Sequence, residues 1–333
     1  MTRELGSLAK HRAYLKRPPK QGPVTPFPMA AAKVFRLQVA GLARRLKAIG
    51  CRNCVLGLSG GLDSALALLV TNAAFEKLGF DKSGIHVYTM PGFGTTKRTK
   101  GNADLLCEGL GLKITTIDIT KACRQHFRDI GHDGKTPDVT FENAQARMRT
   151  LILMDKANMT GGIVVGTGDL SEIALGWSTY NGDHMSMFAV NNDVPKTVVR
   201  KVCAWWVEKV GKVEGLGLAA KAVKDIIATP VSPELVKGQV TEDKIGPYEL
   251  HDFFLWNFIV NEMGSADLLT AALRYFKGMY SPDCVVKTLK TFMWRFFAQA
   301  FKRNCQPDGV RVFPFELSLR DWWIPSDLGL VKL

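Results

Sequence analysis

The chain has 333 residues, 46% hydrophobic and 23% charged, with 44 Lys and Arg against 31 Asp and Glu. That profile belongs to a globular chain large enough for one big core or two modest ones. No apolar run approaches the roughly 18–20 residues of a membrane span, and the N-terminus, MTRELGSLAKHRAYLKRPPK, has no apolar stretch for a signal peptide. A cytoplasmic protein with no membrane partner is expected. The formal net charge of +13 suits an anionic partner, nucleic acid or a phosphate-rich small molecule, but diffuse basic residues on a solvated surface carry the same charge. Seven cysteines are an odd number, and a cytosolic chain calls for no disulfide. Cys51 and Cys54 form a CxxC without a second ligand pair, so they read as structural thiols rather than a zinc site.

Residues 1–28 include KRPPKQGPVTPFP, a basic Pro-rich arm that reads as an extended linker. Helical apolar spacing then runs to Gly50, a C-terminal stop. Strand and helix signals alternate next: a strand at 55–58, a helix at 64–79 and a strand at 85–90. A helix at 102–111, a strand at 113–119, a helix at 141–160 and a strand at 162–168 follow. This alternation predicts an α/β fold, a doubly wound parallel sheet with helices on both faces. From about residue 230 the strands stop, and ELHDFFLWNFIV, SADLLTAALRYFKGMY and CVVKTLKTFMWRFFAQAFKR read as aromatic-rich helices. The expected organisation is the arm at 1–28, an α/β domain at 29–235, and a helical C-terminal extension of the same domain at 236–333.

Three stretches carry chemistry. In VLGLSGGLDS (55–64) a strand runs through a Ser-Gly-Gly turn into a helix, where free N–H groups and the positive helix end face an anion. No GxxxxGK[ST] is present, so the loop is not one that handles a terminal phosphate. Asp63 inside this anion nest would repel phosphate unless a cation lies between them, which Mg²⁺ would satisfy. In IVVGTGDLSEIALGWSTYNGD (163–183), Thr167 follows a strand and Glu172 starts a helix. If the two strands are parallel, Asp63 and Glu172 meet at neighbouring carboxyl ends and share the metal. Asp169 and Glu172 also suit a helix N-terminus with no other role. In the third stretch, Asn143 and Arg147 share a helix face and suit an anionic or amide-bearing ligand, although a solvent-facing pair has the same spacing.

In this setting SGGLDS resembles the pyrophosphatase-type loop of enzymes that split ATP between the α and β phosphates and adenylate an acceptor. With MPGFGTT (90–96), FENAQAR, GTGDLSEIALGWSTYNGD, VPKT (194–197), TEDKIGPYELHDFF (241–254) and FKRNCQPDG (301–309), the chain resembles NAD⁺ synthetase over most of its length. The flavour is that of the synthetase half of glutamine-dependent enzymes, with an adenine nucleotide alpha hydrolase-like fold. The resemblance implies a ligase that amidates deamido-NAD to NAD⁺ through a deamido-NAD adenylate, with ATP as co-substrate and Mg²⁺ as cofactor. It places ATP against Gly57, Ser59, Gly60, Gly61, Asp63, Ser64, Thr167 and Lys196, with the metal on Asp63 and Glu172. The dinucleotide falls to Asn143, Arg147, Glu172, Trp177, Ser178, Thr179, Tyr180 and Lys302. Asp63, Asp183 and Lys196 are the implied catalytic groups, with Asp183 facing the incoming ammonia and Lys196 supplying the cation that the loop lacks.

The resemblance has two departures. Glutamine-dependent enzymes begin with a large glutaminase domain, whereas only residues 1–28 precede the matching region here. Free ammonia, a glutaminase subunit in trans, or a longer parent protein are the expected sources of nitrogen. The tail SLRDWWIPSD (318–327) has Leu319, a deletion and Trp323 where the family has Pro, Gly and Arg, so a basic contact to substrate or a neighbouring subunit is expected to be missing. The aromatic-rich helices offer surface for a homo-oligomer. Other readings are an RNA-thiolating or lysidine-forming enzyme with the same loop, or a non-catalytic scaffold. The first needs a well-placed catalytic cysteine pair or a basic RNA-binding appendage, so no nucleic-acid partner is expected. The second would have lost some of Asp63, Thr167, Glu172 and Lys196, all of which are present.

Overall fold

The structure, a computed structural model, describes residues 25–210, 212–230, 235 and 240–319. Five strands form its sheet: β1 (Cys54–Gly57), β2 (Ile85–Thr89), β3 (Ile114–Thr116), β4 (Ile163–Gly166) and β5 (Phe188–Ala189). They lie in the order β3-β2-β1-β4-β5, every pairing parallel. Side chains alternate across the sheet as strand geometry requires. Cys54 and Leu56 of β1 and Ile163 and Val165 of β4 enter one core, while Val55 and Val164 enter the other.

The first core also holds α1 (Ala31–Ala48), α2 (Leu62–Leu78) and α3 (Lys97–Gly109). On the opposite face are α4 (Thr120–Asp129) and α5 (Val139–Thr160). The short α6 (Leu170–Leu175) leaves β4, and α7 (Lys196–Lys209) and α8 (Gly217–Ile227) return to the first core. Then come α9 (Thr241–Ile245), α10 (Tyr248–Ile259), α11 (Ser265–Tyr275) and α12 (Pro282–Ala298). Phe253 and Phe254 of α10 and Phe292 and Phe296 of α12 belong to the same apolar cluster as Val198 of α7, so the helical region continues the α/β core.

The chain leaves β1 toward β2 and β3 on one side and returns as β4 on the other. Such a reversal opens a crevice at the carboxyl ends of β1 and β4, where open α/β sheets bind ligands.

Several elements differ from the sequence expectation. α3 begins at Lys97, not near 102, because Thr96 caps it by accepting the N–H of Thr99. The last helix stops at Ala298 and gives way to a 3₁₀ turn over Ala300–Cys305. α11 ends at Tyr275, and Gly278 beyond it has φ +82°, which helical backbone does not adopt. α4, α7, α8, α9 and β5 were not anticipated. In α7 the buried Val198, Val199, Val202, Cys203 and Trp206 were a legible helical stripe, but no capping residue precedes it. The 1–28 arm is not wholly a linker: Phe27 is buried, with its ring 4.8 Å from Trp256 and 4.9 Å from Phe313. Residues 1–24 of that arm, and residues 320–327 of the divergent tail with Trp323, lie outside the described residues. All seven cysteines are free; Cys54 is buried, and the Cys51 thiol bonds the carbonyl of Asn53. Among the described residues no helix is long and apolar enough to cross a membrane.

Candidate active site

The 59–64 loop joins β1 to α2. Gly61 is the N-cap of α2 and has no side chain to cap it, so the first N–H groups of the helix open into the crevice. Gly60 has φ +86°, and a Cβ there would lie 2.0 Å from the carbonyl oxygen of Thr99, so only glycine fits. The hydroxyls of Ser59 and Ser64 meet at 3.1 Å, and Ser64 Oγ donates to the carbonyl of Gly61, which ties the loop into a closed curve. Asn191, fully buried, donates its amide to the carbonyls of Asp63 and Thr167 at 2.9 and 3.0 Å, joining the two sides of the switch point.

Beneath this loop lies a charge cluster. Lys196, the first residue of α7, is 2% exposed, and its Nζ stands 2.6 Å from Asp63 Oδ2, 2.8 Å from Asp169 Oδ2 and 2.9 Å from Glu172 Oε1. Asp169 and Glu172 are fixed by the start of α6 itself. Asp169 Oδ1 accepts the N–H of Glu172, and the Glu172 carboxylate reaches back to the N–H of Asp169, a complete capping box. The cap leaves the second oxygen of Asp169 for Lys196.

One ammonium against three carboxylates leaves two negative charges when all are ionised. Burial lifts the Asp169 carboxyl well above its ordinary range and raises Glu172 to about 7, in spite of the nearby ammonium. Burial disfavours charge on Lys196, but the three carboxylates outweigh it and hold the ammonium well above its usual value. The residual charge suits a magnesium ion. Ligand oxygens of Asp63, Asp169 and Glu172 lie within 4.8 Å of one another, and Asp63 Oδ1 is buried without a hydrogen-bond partner. Hard carboxylate oxygens are the donors that such a cation takes.

The crevice opens into a cavity of about 710 Å³. Gly57, the 59–64 loop, Thr167 and Glu172 line one part of it; Asn143, Trp177, Ser178, Thr179, Asp183 and Lys302 line another. Thus most residues expected at the site come together around one volume. Arg147, Tyr180 and the buried Lys196 do not line it. The Arg147 guanidinium bonds the carbonyl of Tyr180, and Asn143 accepts the hydroxyl of Thr179 at 2.8 Å. The i,i+4 pair therefore holds the loop after α6.

That loop is also held from below. Lys302 Nζ donates to the carbonyls of Gly176 and Ser178 at 2.9 and 2.6 Å, and Arg295 donates to Leu175 and Gly176. Cations at the C-terminal end of α6 answer its open carbonyls and dipole. The Arg295 guanidinium lies 4.8 Å over the Trp177 ring, so one face of that ring is already covered. Asp183 accepts the N–H of Thr179 at 2.7 Å from an exposed position on the cavity wall.

Sequence reasoning missed Asp169 as a member of the charge cluster, and it missed Asn191, Arg149 and Tyr248. Arg149 lines the cavity and donates to the carbonyl of Met90; the Tyr248 ring lies 5.3 Å from Lys196 Nζ. For Asp169 a signal existed, an acid two residues after Thr167 in a D-x-x-E box. For Asn191 and Tyr248 there was none, since their partners are more than 20 residues away in sequence.

The NAD synthase family matches residues 34–275. The glutamine-dependent NAD(+) synthetase of Mycobacterium leprae is 39% identical over 330 residues, covering 89% of this chain and 48% of its own length. The chain thus spans about half the length of the curated relatives it matches. Among solved structures, a glutamine-dependent NAD(+) synthetase from Cytophaga hutchinsonii superposes with a TM-score of 0.69 at 18% identity, covering 88% of this chain and 54% of that one. The glutamine-dependent NAD+ synthetase from Acinetobacter baumannii, in complex with adenosine diphosphate, gives 0.54 at 23% identity over 91% and 50%. These two share the fold. The family match spans the sheet, the 59–64 loop and the carboxylate cluster, and on that match the chain belongs to the NAD synthase family.

Proposed function

We propose that this chain carries out ATP-dependent amidation of deamido-NAD to NAD⁺, releasing AMP and pyrophosphate, in the cytoplasm, with ammonia as the nitrogen donor. The observation that carries the reading is the Lys196 ammonium, buried among Asp63, Asp169 and Glu172 directly behind an open helix N-terminus. Helix N–H groups, a lysine and a carboxylate set for a divalent cation are what a departing pyrophosphate requires. The complex of the Acinetobacter protein with adenosine diphosphate supports nucleotide binding by this chain.

In the first step the nicotinate carboxylate of deamido-NAD attacks the α-phosphorus of ATP. The bond to the bridging oxygen between the α and β phosphates breaks, and pyrophosphate leaves toward the 59–64 loop. The N–H groups at the start of α2, the hydroxyls of Ser59 and Ser64, and Lys196 stabilise its charge. Magnesium, held by Asp63 and Glu172 with Asp169 beside them, supplies neutralising charge to the phosphates when bound. Thr167 and Gly57 border the nucleotide. Asn143, Trp177, Ser178, Thr179 and Lys302 form the wall for the dinucleotide, with Arg147 and Tyr180 acting through the loop that they hold.

In the second step ammonia attacks the acyl carbon of the adenylate, the bond from that carbon to the phosphate oxygen breaks, and AMP departs. The proton lost by nitrogen passes to Asp183, the carboxylate on the cavity wall beside Thr179. Ammonia arrives free or from a glutaminase, in the same polypeptide or in a separate subunit. Exposed Val139, Leu151 and Met159 along α5 support assembly into a homo-oligomer, which light scattering of the purified chain tests.

The test of function uses the purified chain with Mg²⁺, ATP and deamido-NAD. Pyrophosphate, AMP and NAD⁺ should appear in equal amounts once ammonium is added. No product with ammonium refutes the reading, and equal turnover with glutamine alone refutes ammonia as the donor for these residues.

A further inference from the structure

The N-terminus of α7 has no cap of its own. Its N-cap residue, Pro195, offers no side-chain acceptor, so the N–H groups of Lys196 and Thr197 are open at the helix start. Both are satisfied from other helices. Ser171 Oγ accepts the Lys196 N–H at 2.8 Å, and Asp252 Oδ2 accepts the Thr197 N–H at 2.9 Å. The Ser171 hydroxyl in turn donates to Asp252 Oδ1. Ser171 is 1% exposed and Asp252 is fully buried. Ser171 directly precedes Glu172 on α6, so one carboxylate on α10 anchors both the helix of Glu172 and the helix of Lys196. Tyr248, four residues before Asp252 on the same face of α10, brings its ring to 5.3 Å from Lys196 Nζ. Thus α10 holds the backbone at the start of α7 through Asp252 and Ser171, and meets the Lys196 ammonium through Tyr248.

We propose that Asp252 is a positioning residue: acting through Ser171 and the start of α7, it sets where the Lys196 ammonium stands relative to the triphosphate of ATP. The inference deepens the function proposed above and rests on it. Its two oxygens serve two helices, and its charge complements the positive end of α7. Losing one acceptor frees the relation between Glu172 and Lys196, whose contacts of 2.9 Å or less leave little tolerance. A misplacement of about 1 Å at such a site costs about 10²-fold in rate.

The test compares the full chain with Asp252→Asn and Ser171→Ala, measuring Mg·ATP binding by calorimetry, the kinetic constants, far-UV circular dichroism and the thermal midpoint. The asparagine keeps one accepting oxygen in place of two, so the donor that faces its amide nitrogen loses its acceptor. Asp252→Asn should bind Mg·ATP about tenfold more weakly and turn over about 10²-fold more slowly, with KM for deamido-NAD nearly unchanged. Ser171→Ala should move the same quantities in the same direction, and the double variant should cost less than the sum of the two single losses, because the two residues share one hydrogen bond. A folded Asp252→Asn variant with wild-type Mg·ATP affinity and turnover overturns the proposal. If Asp252→Asn does not fold, Ser171→Ala decides: unchanged Mg·ATP affinity overturns the proposal, and weakened affinity supports it. A wild-type chain that binds no Mg·ATP overturns the proposed function itself, and this inference with it.

Discussion

Lys196 Nζ lies 2.6 Å from Asp63 Oδ2, which joins the first residue of α7 to the first turn of α2 across the switch point of the sheet. The two residues are 133 apart in sequence. This contact connects the helix that opens onto the crevice to a buried ammonium, and the first expectation concerns it.

Replacing Lys196 with Met leaves three carboxylates facing one another without a cation. Breaking a buried ion pair this way costs about 3–5 kcal/mol. Asp169 and Glu172, already raised by burial, would take up protons more readily than in the unfolded chain. The folded state then binds more protons than the unfolded state, so the stability of the variant falls as pH rises. Urea unfolding with a chelator present should find K196M further below wild type at pH 8 than at pH 5.5. Turnover should fall by about 10²–10³-fold.

Gly60 and Gly61 are adjacent but have different tolerances. Gly60→Ala places a methyl against the Thr99 carbonyl at φ +86°, and should cost more than about 1 kcal/mol and weaken ATP binding. Gly61 has φ −91°, and a Cβ there meets only Ser59 Oγ at 3.2 Å. Gly61→Ala should retain a thermal midpoint closer to wild type. Thermal melts and ATP titrations of the two variants check this, and equal losses would refute it.

Magnesium should bind more tightly as pH rises from 6 to 8, because its proposed ligand Glu172, raised to about 7 by burial, must lose a proton to coordinate. The stabilisation of wild type by Mg²⁺ with pyrophosphate, read as a shift in thermal midpoint, should grow over that range. Asp63→Asn should largely abolish the shift. A shift that is the same at both pH values would count against Glu172 as a ligand.

His251 sets an acid limit on stability. It is 1% exposed, donates from Nε2 to the carbonyl of Ile245 at 2.8 Å, and leaves a buried Nδ1 without a partner. Burial lowers its pKa to about 4. Between that value and the ordinary one near 6.5 the unfolded chain binds a proton that the folded chain refuses. Its contribution is therefore complete above about pH 6.5 and is lost as pH falls toward 4, amounting to about 3 kcal/mol. His251→Gln should flatten the slope of stability against pH in this interval, as measured by urea midpoints from pH 4.5 to 7.5.

The parts of the site legible in the sequence are those made by neighbours along the chain. The Ser-Gly-Gly turn between strand and helix, and the D-x-x-E start of α6, can be read because a few successive residues fix their backbone and hydrogen bonds. Asp169 was visible as a cap and not as a charge partner, since a cap needs one oxygen and the use of the other depends on Lys196. Arg147 had the right spacing for a ligand clasp, yet the loop at Tyr180 packs against it. Helix periodicity places a side chain on a face without saying what lies opposite.

What the sequence determined by itself was the alternation of strand and helix, the open helix end at the 59–64 loop, and the need for a cation beside Asp63. The resemblance pointed to Lys196 as that cation; tertiary structure alone decided how it is held. It brought Lys196 under the loop and gave α7 its missing cap from Ser171 and Asp252, and it buried the three carboxylates together. The physical reason is range: backbone geometry and capping act over three or four residues, whereas desolvation and ion pairing depend on which distant segments share a low-dielectric interior.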